Sequence, residues 1–136
     1  MAEAVTIGAR NADIENVDVR LMCAKDAGAS DLLWANGLIL GTPENFGYMS
    51  GALKDFFDRT FYKVEGKIAP LPYCVFISAG NDGGGALKSI ERIANGYPLI
   101  VVQPAIICKG TPAPKDLQRC TEMGQTLAAG LEMAIF

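Results

Sequence analysis

The sequence predicts an α/β fold, a parallel sheet covered on both faces by helices. Three observations carry that prediction. Segments with helical apolar spacing alternate along the chain with short segments of strand character. Two of the strand segments, Gly37–Gly41 and Tyr73–Ile77, are continuous runs without polar alternation, as expected of strands buried on both sides. The chain has 136 residues, 50% of them apolar and 20% charged, which supplies the core of one domain over residues 1–136 and excludes disorder.

The elements follow in order. Met1, Ala4, Val5, Gly8, Ala9 and Ala12 recur at helical spacing and predict a helix over residues 1–12. Its apolar face begins at the first residue, with no cap and no turn before it. Val17, Val19, Leu21 and Cys23 alternate with Asp18, Arg20 and Met22, the pattern of a half-exposed strand near a sheet edge. Ser30 and Asp31 are placed to cap a short helix through Trp34 and Ala35. Gly37–Gly41 is the next strand, and Thr42–Gly51 reads as a turn-rich loop. Met49, Leu53, Phe56, Phe57 and Thr60 form a helical stripe, with Lys54/Asp58 and Asp55/Arg59 as i, i+4 pairs on the outer face. Tyr73–Ile77 is a second buried strand. The glycine-rich loop Ser78–Gly85 leads into a helix faced by Leu87, Ile90, Ile93 and Ala94 and closed by Gly96. Leu99–Val102 is a third buried strand, stopped by Pro104, with Ala105–Cys108 extended beyond it. Leu117, Cys120, Met123, Leu127, Leu131 and Ile135 mark a long C-terminal helix over residues 115–135.

Composition removes several classes of chemistry. There is no histidine, so Ser-His and Cys-His nucleophiles and His-ligated metal sites are excluded, and no metal site is expected. Cys23, Cys74, Cys108 and Cys120 form no CxxC pair and are expected to be reduced. A net charge of −3 without a basic patch argues against nucleic acid and against an anionic membrane surface. No apolar run reaches the roughly 18 residues of a spanning helix, and no signal peptide is read at the start, so a cytoplasmic protein is expected.

In parallel sheets ligands bind beyond the carboxyl ends of the strands. Two loops at that edge carry unusual residues. Gly41–Gly51 contains Pro43, three glycines, the flat rings of Phe46 and Tyr48, and a helix N-terminus; composition alone slightly favours an ordinary strand-to-helix turn capped by Ser50. Ser78–Gly85 allows close approach of a ligand to its backbone, or is simply a flexible loop. It fits neither GxGxxG nor a Walker motif. Trp34 reads as core packing, Cys108 as an inert strand cysteine, and Asp82 and Lys109 as solvated surface charges.

Residues 41–59, Gly-Thr-Pro-Glu-Asn-Phe-Gly-Tyr-Met-Ser-Gly-Ala-Leu-Lys-Asp-Phe-Phe-Asp-Arg, resemble the signature of flavodoxin-like NAD(P)H:quinone oxidoreductases and NADPH-dependent FMN reductases, the group that includes tryptophan-repressor-binding-protein-like enzymes. The resemblance extends over nearly the whole chain. It implies a flavodoxin-like three-layer α/β/α fold and FMN as cofactor, with NAD(P)H and a quinone-type acceptor as partners. It also implies that Thr42, Pro43, Glu44, Asn45, Phe46 and Gly47 wrap one side of the flavin ring, and that Ser78, Ala79, Gly80, Asn81, Asp82 and Gly83 border the other.

The chain departs from the family at its beginning. Members open with a central strand and a Ser/Thr-rich turn that holds the FMN phosphate; Met1-Ala-Glu-Ala-Val5 resembles the helix after that turn. Four strands are therefore expected, with FMN bound weakly or not at all. Two functions follow: an FMN-dependent NAD(P)H:acceptor oxidoreductase with impaired FMN binding, or a shortened domain without FMN or catalysis, acting as an interaction module or surviving as a truncated product. The expected remedy for the lost strand is an inward shift of Val17–Cys23, laddering Val19 and Leu21 to Leu38 and Leu40, together with homo-oligomerisation.

Overall fold

The computed structural model describes residues 1–136. Ten elements follow in order: α1 (Ala2–Ala9), α2 (Ala29–Trp34), β1 (Leu38–Asn45), β2 (Tyr48–Met49), α3 (Gly51–Val64), β3 (Leu71–Ala79), α4 (Gly84–Ala94), β4 (Leu99–Val101), β5 (Ile106–Lys109) and α5 (Pro114–Glu132). β3 is the axis of the sheet. It runs parallel to β1 from Leu38↔Tyr73 to Pro43↔Ser78. On its other flank it pairs first with β4 at Leu71–Tyr73 and then with β5 at Phe76–Ala79. Pro104 separates those two, because a proline cannot donate to the ladder.

Side chains alternate across β3. Tyr73, Val75, Ile77 and Ala79 join the larger core against α3 and α4, built around Phe56, Phe57, Ile90 and Tyr97. Cys74 joins Val5, Ile106, Cys120, Met123 and Leu127 under α1 and α5. These last two helices cross closely. A Cβ on Gly124 would lie 2.0 Å from the Val5 carbonyl oxygen, and one on Gly8 1.8 Å from that of Thr121. Two of the expected caps form, whereas Ser30, expected to help cap α2, lies inside that helix and Gly28 takes the cap position. The Ser50 hydroxyl accepts the Leu53 N–H at 3.3 Å to start α3, and Asp31 accepts the Gly28 N–H at 2.9 Å to start α2. Both expected pairs on α3 form, Lys54–Asp58 at 2.7 Å and Arg59–Asp55 at 2.6 Å.

Several expectations are corrected. The sheet has five strands where four were expected. The Thr42–Gly51 loop is largely strand: β1 continues to Asn45 and folds back as an antiparallel hairpin onto β2, pairing Glu44↔Met49 and Asn45↔Tyr48. Phe46 and Gly47, both at positive φ (52° and 67°), make its turn. Pro43 sits within the β1 register, opposite Ser78 of β3, without ending the strand.

The third correction concerns Val17–Cys23, which is extended but pairs with nothing; Val19 and Leu21 are not laddered to Leu38 and Leu40. Side chains hold it away from β1. Arg10 donates to the Val19 carbonyl at 2.9 Å, and the Glu132 carboxylate accepts the N–H groups of Glu15 and Asn16 at 2.8 and 2.9 Å. Arg20 stacks 3.8 Å over the Trp34 ring and reaches Asp31 at 3.4 Å. Arg59 ties down the following turn through the carbonyls of Ala24 and Ala27. Trp34 is accordingly a surface platform for Arg20 rather than core packing. A cavity of about 290 Å³ separates the segment from β1, and β1, expected to be buried, keeps Leu38 and Ile39 only half-buried and Gly41 exposed.

Candidate functional site

The carboxyl ends of β1 and β3 bring the two singled-out loops together, and Glu44 joins them. Its carboxylate accepts the Gly83 N–H at 3.2 Å with one oxygen and the Ala86 N–H at 3.1 Å with the other. Gly83, at φ 73°, is the residue before α4 and has no side chain to cap it, so Glu44 supplies the missing cap from the neighbouring hairpin, where the helix dipole favours a carboxylate. Contact is close: a Cβ on Gly85 would lie 2.0 Å from the Gly47 carbonyl oxygen. Ser89 adds a second tie, accepting the Met49 N–H at 3.1 Å and donating to the Ala86 carbonyl at 2.7 Å.

The predicted residues divide by role. Thr42 is buried; its hydroxyl donates to the Pro43 carbonyl and accepts the Ser50 N–H, both at 2.9 Å, which holds the hairpin to α3. Thr42 and Glu44 are thus engaged within the protein. Asp82 accepts the Gly84 N–H at 2.8 Å, and the Ala79 carbonyl accepts the Gly110 N–H at 2.8 Å. Gly83 is pinned against Ile107, 2.5 Å from where a Cβ would stand. The side chains of Asn45, Ser78 and Asn81 are exposed and make no hydrogen bond within the chain, Gly80 has open space around it, and Phe46 is fully exposed at the hairpin tip.

An open cleft of about 320 Å³ lies at this edge, lined by Met1, Ala2, Gly41, Thr42, Pro43, Phe76, Ser78 and Pro112. Thr42, Pro43 and Ser78 of the predicted set line it; Glu44–Gly47 and Ala79–Gly83 stand outside its walls. Sequence reasoning missed Phe76, Pro112 and the start of α1. The signal for Pro112 was available, since it follows β5 at the same carboxyl edge. Phe76 carried none, because its ring enters the cleft only through the space that Gly41 leaves open; a Cβ on Gly41 would be 2.0 Å from that ring.

The donor set fits a planar heteroaromatic group. Pro43, Phe76 and Pro112 provide flat apolar walls and Ser78 an uncommitted hydroxyl among them, while Asn45 and Asn81 stand uncommitted on the two loops outside the cleft. At the far end the first-turn N–H groups of α1 are available to an anion, but no Lys or Arg side chain lines the cleft, and Glu3 stands in that first turn. Nucleophilic thiols are absent from the site. Burial pushes the Cys74 thiol up to about 11, and burial with Asp116 alongside raises that of Cys108.

Comparison with known proteins agrees with this geometry. The family profile for NADPH-dependent FMN reductase matches residues 7–107. A flavodoxin of Aquifex aeolicus is 42% identical over 144 residues, covering 94% of this chain and 77% of that protein. An NAD(P)H dehydrogenase (quinone) of Acidithiobacillus ferrooxidans is 29% identical, covering 90% of this chain and 66% of that one. The solved structure of a flavodoxin from the domain Archaea superposes with a TM-score of 0.78 at 26% identity, over 96% of this chain and 87% of that one. With a sheet flanked by helices on both faces and two loops clasped at its carboxyl edge, the chain belongs to the flavodoxin-like NADPH-dependent FMN reductase family.

Proposed function

We propose that the chain is a redox protein that seats FMN at the cleft beside the carboxyl ends of β1 and β3, and that it oxidises NAD(P)H with a quinone-type acceptor. The observation that carries this reading is the cleft walled by Pro43, Phe76 and Pro112, beside two loops that Glu44 clasps together while Asn45, Ser78 and Asn81 stay uncommitted. FMN, when bound, supplies two-electron chemistry between a nicotinamide and a quinone. The protein's part is to hold and orient. The strand-end backbone and the walls of Pro43, Phe76 and Pro112 fix the plane of the ring, Ser78, Asn45 and Asn81 bond its edge, and Phe46 covers the face open to solvent. Thr42, Glu44 and Gly83 act one step back, keeping the loops in place.

The phosphate end is weaker. Only the N–H groups of α1 face it, with Glu3 beside them, so this chain binds FMN with low affinity. Each charge-assisted hydrogen bond is worth about 1.5–3 kcal/mol, and lacking two or three reduces affinity by several powers of ten at ~1.4 kcal/mol per tenfold. Titration of FMN fluorescence with the protein tests both parts. The expected result is saturable quenching at micromolar or weaker affinity, reduced at least tenfold by Ser78→Asp. No quenching would refute the FMN seat, and nanomolar affinity would refute the weak phosphate end. NADPH oxidation with a soluble quinone in excess FMN tests the reaction itself.

Association of copies is a further part of the proposal. Ile100 and Val101 on β4 are 54% and 61% exposed at the sheet edge, an apolar edge suited to pairing between chains. Light scattering at micromolar concentration should give more than the monomer mass. A second reading, an interaction module without catalysis, draws its support from the unpaired flank of β1.

A further inference from the structure

The tripeptide Ala-Asn-Gly occurs twice, at Ala35–Gly37 and at Ala94–Gly96. An asparagine followed by glycine is chemically labile, because no side chain shields the next backbone nitrogen from the asparagine amide carbon. Both asparagine side chains are exposed, and neither makes a hydrogen bond within the chain. Local sequence therefore makes the two sites equal, and the backbone separates them. Asn95 caps α4 at φ −60° and ψ −33°, and the Gly96 N–H donates to the Ile93 carbonyl at 2.9 Å. The Tyr97 N–H donates to the Ala94 carbonyl at 3.1 Å, and the Tyr97 side chain is buried. Rotating ψ of Asn95 to bring the Gly96 nitrogen onto the amide carbon would break these bonds. Asn36 is placed otherwise. The last hydrogen bond of α2 ends at Ala35, whose φ of −72° and ψ of 141° are extended, and the ladder of β1 begins at Leu38. Asn36 and Gly37 form the bend between them. A third labile pair, Asp82–Gly83, is tied on both sides: Glu44 accepts the Gly83 N–H at 3.2 Å, and Asp82 itself accepts the Gly84 N–H at 2.8 Å.

We propose that Asn36 is a site of self-modification: in the native protein it converts to isoaspartate and aspartate, while Asn95, in the same tripeptide, is protected. The Gly37 nitrogen gives its proton to solvent base and attacks the Asn36 amide carbon. The bond from that carbon to the amide nitrogen breaks, and ammonia leaves carrying a proton from solvent. A cyclic succinimide remains. Water then opens the ring. Attack at the main-chain carbonyl leaves the chain running through the side-chain carbon, which is isoaspartate; attack at the other carbonyl leaves aspartate. Water is the only co-reactant, and no electrons are exchanged. Either product adds one negative charge to a chain of net charge −3. The isoaspartyl product also adds a methylene to the backbone where there is little slack. A Cβ on Gly37 would stand 2.8 Å from the Leu131 side chain of α5, and Leu38 is already in register with Tyr73. The lengthened chain must press on α5 or pull Leu38 out of register, so the modified protein is less stable. An isoaspartyl carboxylate is the group that isoaspartyl methyltransferases esterify, which provides a specific readout. This inference stands apart from the redox reading and does not depend on FMN.

The test incubates the whole chain at pH 8 and physiological temperature, once native and once in guanidinium chloride. Tryptic peptides Asp26–Lys54 and Ile93–Lys109 separate the two asparagines. Each is read by the mass gain of amide-to-acid conversion and by enzymatic methyl transfer to isoaspartate. In denaturant both sites should convert at similar rates. In the native protein Asn36 should convert at least tenfold faster than Asn95, and methyl transfer should mark the first peptide alone. Asn36→Gln should abolish native conversion in that peptide, whereas Asn95→Gln should leave the Asn36 rate unchanged. On ageing, Tm should fall in the parent protein and hold in Asn36→Gln. Equal native rates, faster conversion at Asn95, or an Asn36 that stays intact in the native protein while the denatured chain converts would each overturn the proposal. An aged parent as stable as aged Asn36→Gln would overturn the strain assigned to the start of β1.

Discussion

Glu44 shows how one side chain changes meaning between sequence and structure. Its position in a family-like loop suggests contact with a ligand, yet its carboxylate spends both oxygens on the start of α4. Glu44→Ala is expected to lower stability by about 1–2 kcal/mol, the worth of a lost N-cap with two donors left unpaired, measured as a shift in urea midpoint. Glu44→Gln, which keeps one acceptor, should cost less. Two glycines in the same region should separate cleanly. Gly85→Ala pushes a Cβ against the Gly47 carbonyl and should cost about 1–3 kcal/mol. Gly80→Ala meets open space and should stay within about 0.5 kcal/mol. The cysteines give a simpler check. Cys23 is exposed while Cys74, Cys108 and Cys120 are buried, and burial raises all three buried thiols. A thiol reagent at pH 8 should therefore label one cysteine in the native protein and four in denaturant.

At the scale of elements, side chains take over where ladders are missing. The chain after α1 is fastened by Glu132 of α5, and the N–H groups of Asn16 and Glu15 hold the Glu132 carboxyl below its ordinary range. A carboxyl lowered in the folded state stabilises the protein above its unfolded value, and that contribution disappears as pH falls through the folded value. Glu132→Gln should thus reduce stability at pH 7 and converge with the parent protein as both are taken below the carboxylate range, followed by urea midpoints against pH. The contact between α1 and α5 depends on glycine for a different reason. Gly124→Val would drive side-chain atoms into the Val5 carbonyl, and a loss of about 2–3 kcal/mol is expected, with α1 the first element to exchange its amides. The helices themselves were readable: the stripes of α3, α4 and α5 and the cap at Ser50 all appear in the sequence, because helical periodicity and capping are local. The hairpin β1–β2 was not, since its turn carries Phe46 at positive φ, a conformation the sequence does not advertise for an aromatic residue.

For the whole molecule, hydrogen exchange should rank the segments by their ladders. β3 pairs along both flanks and should be slowest, while amides of Val17–Cys23, which have no ladder, should exchange early; comparable protection of the two would contradict the arrangement. The sequence by itself determined the α/β class, the alternation of helix and strand, the helix faces and the loops at the carboxyl edge. Each of these is written in residue period, turn chemistry or a run of contiguous residues. The tertiary structure alone decided the pairing. Val17–Cys23 has the alternation of a strand, but a strand exists only where a neighbour completes its hydrogen bonds, and Arg10, Arg20 and Glu132 hold the surrounding chain where none does. The cleft was decided at the same level. Phe76 and Pro112 meet Thr42 and Ser78 there because strands far apart in sequence end side by side, a proximity set by sheet register and by no local pattern.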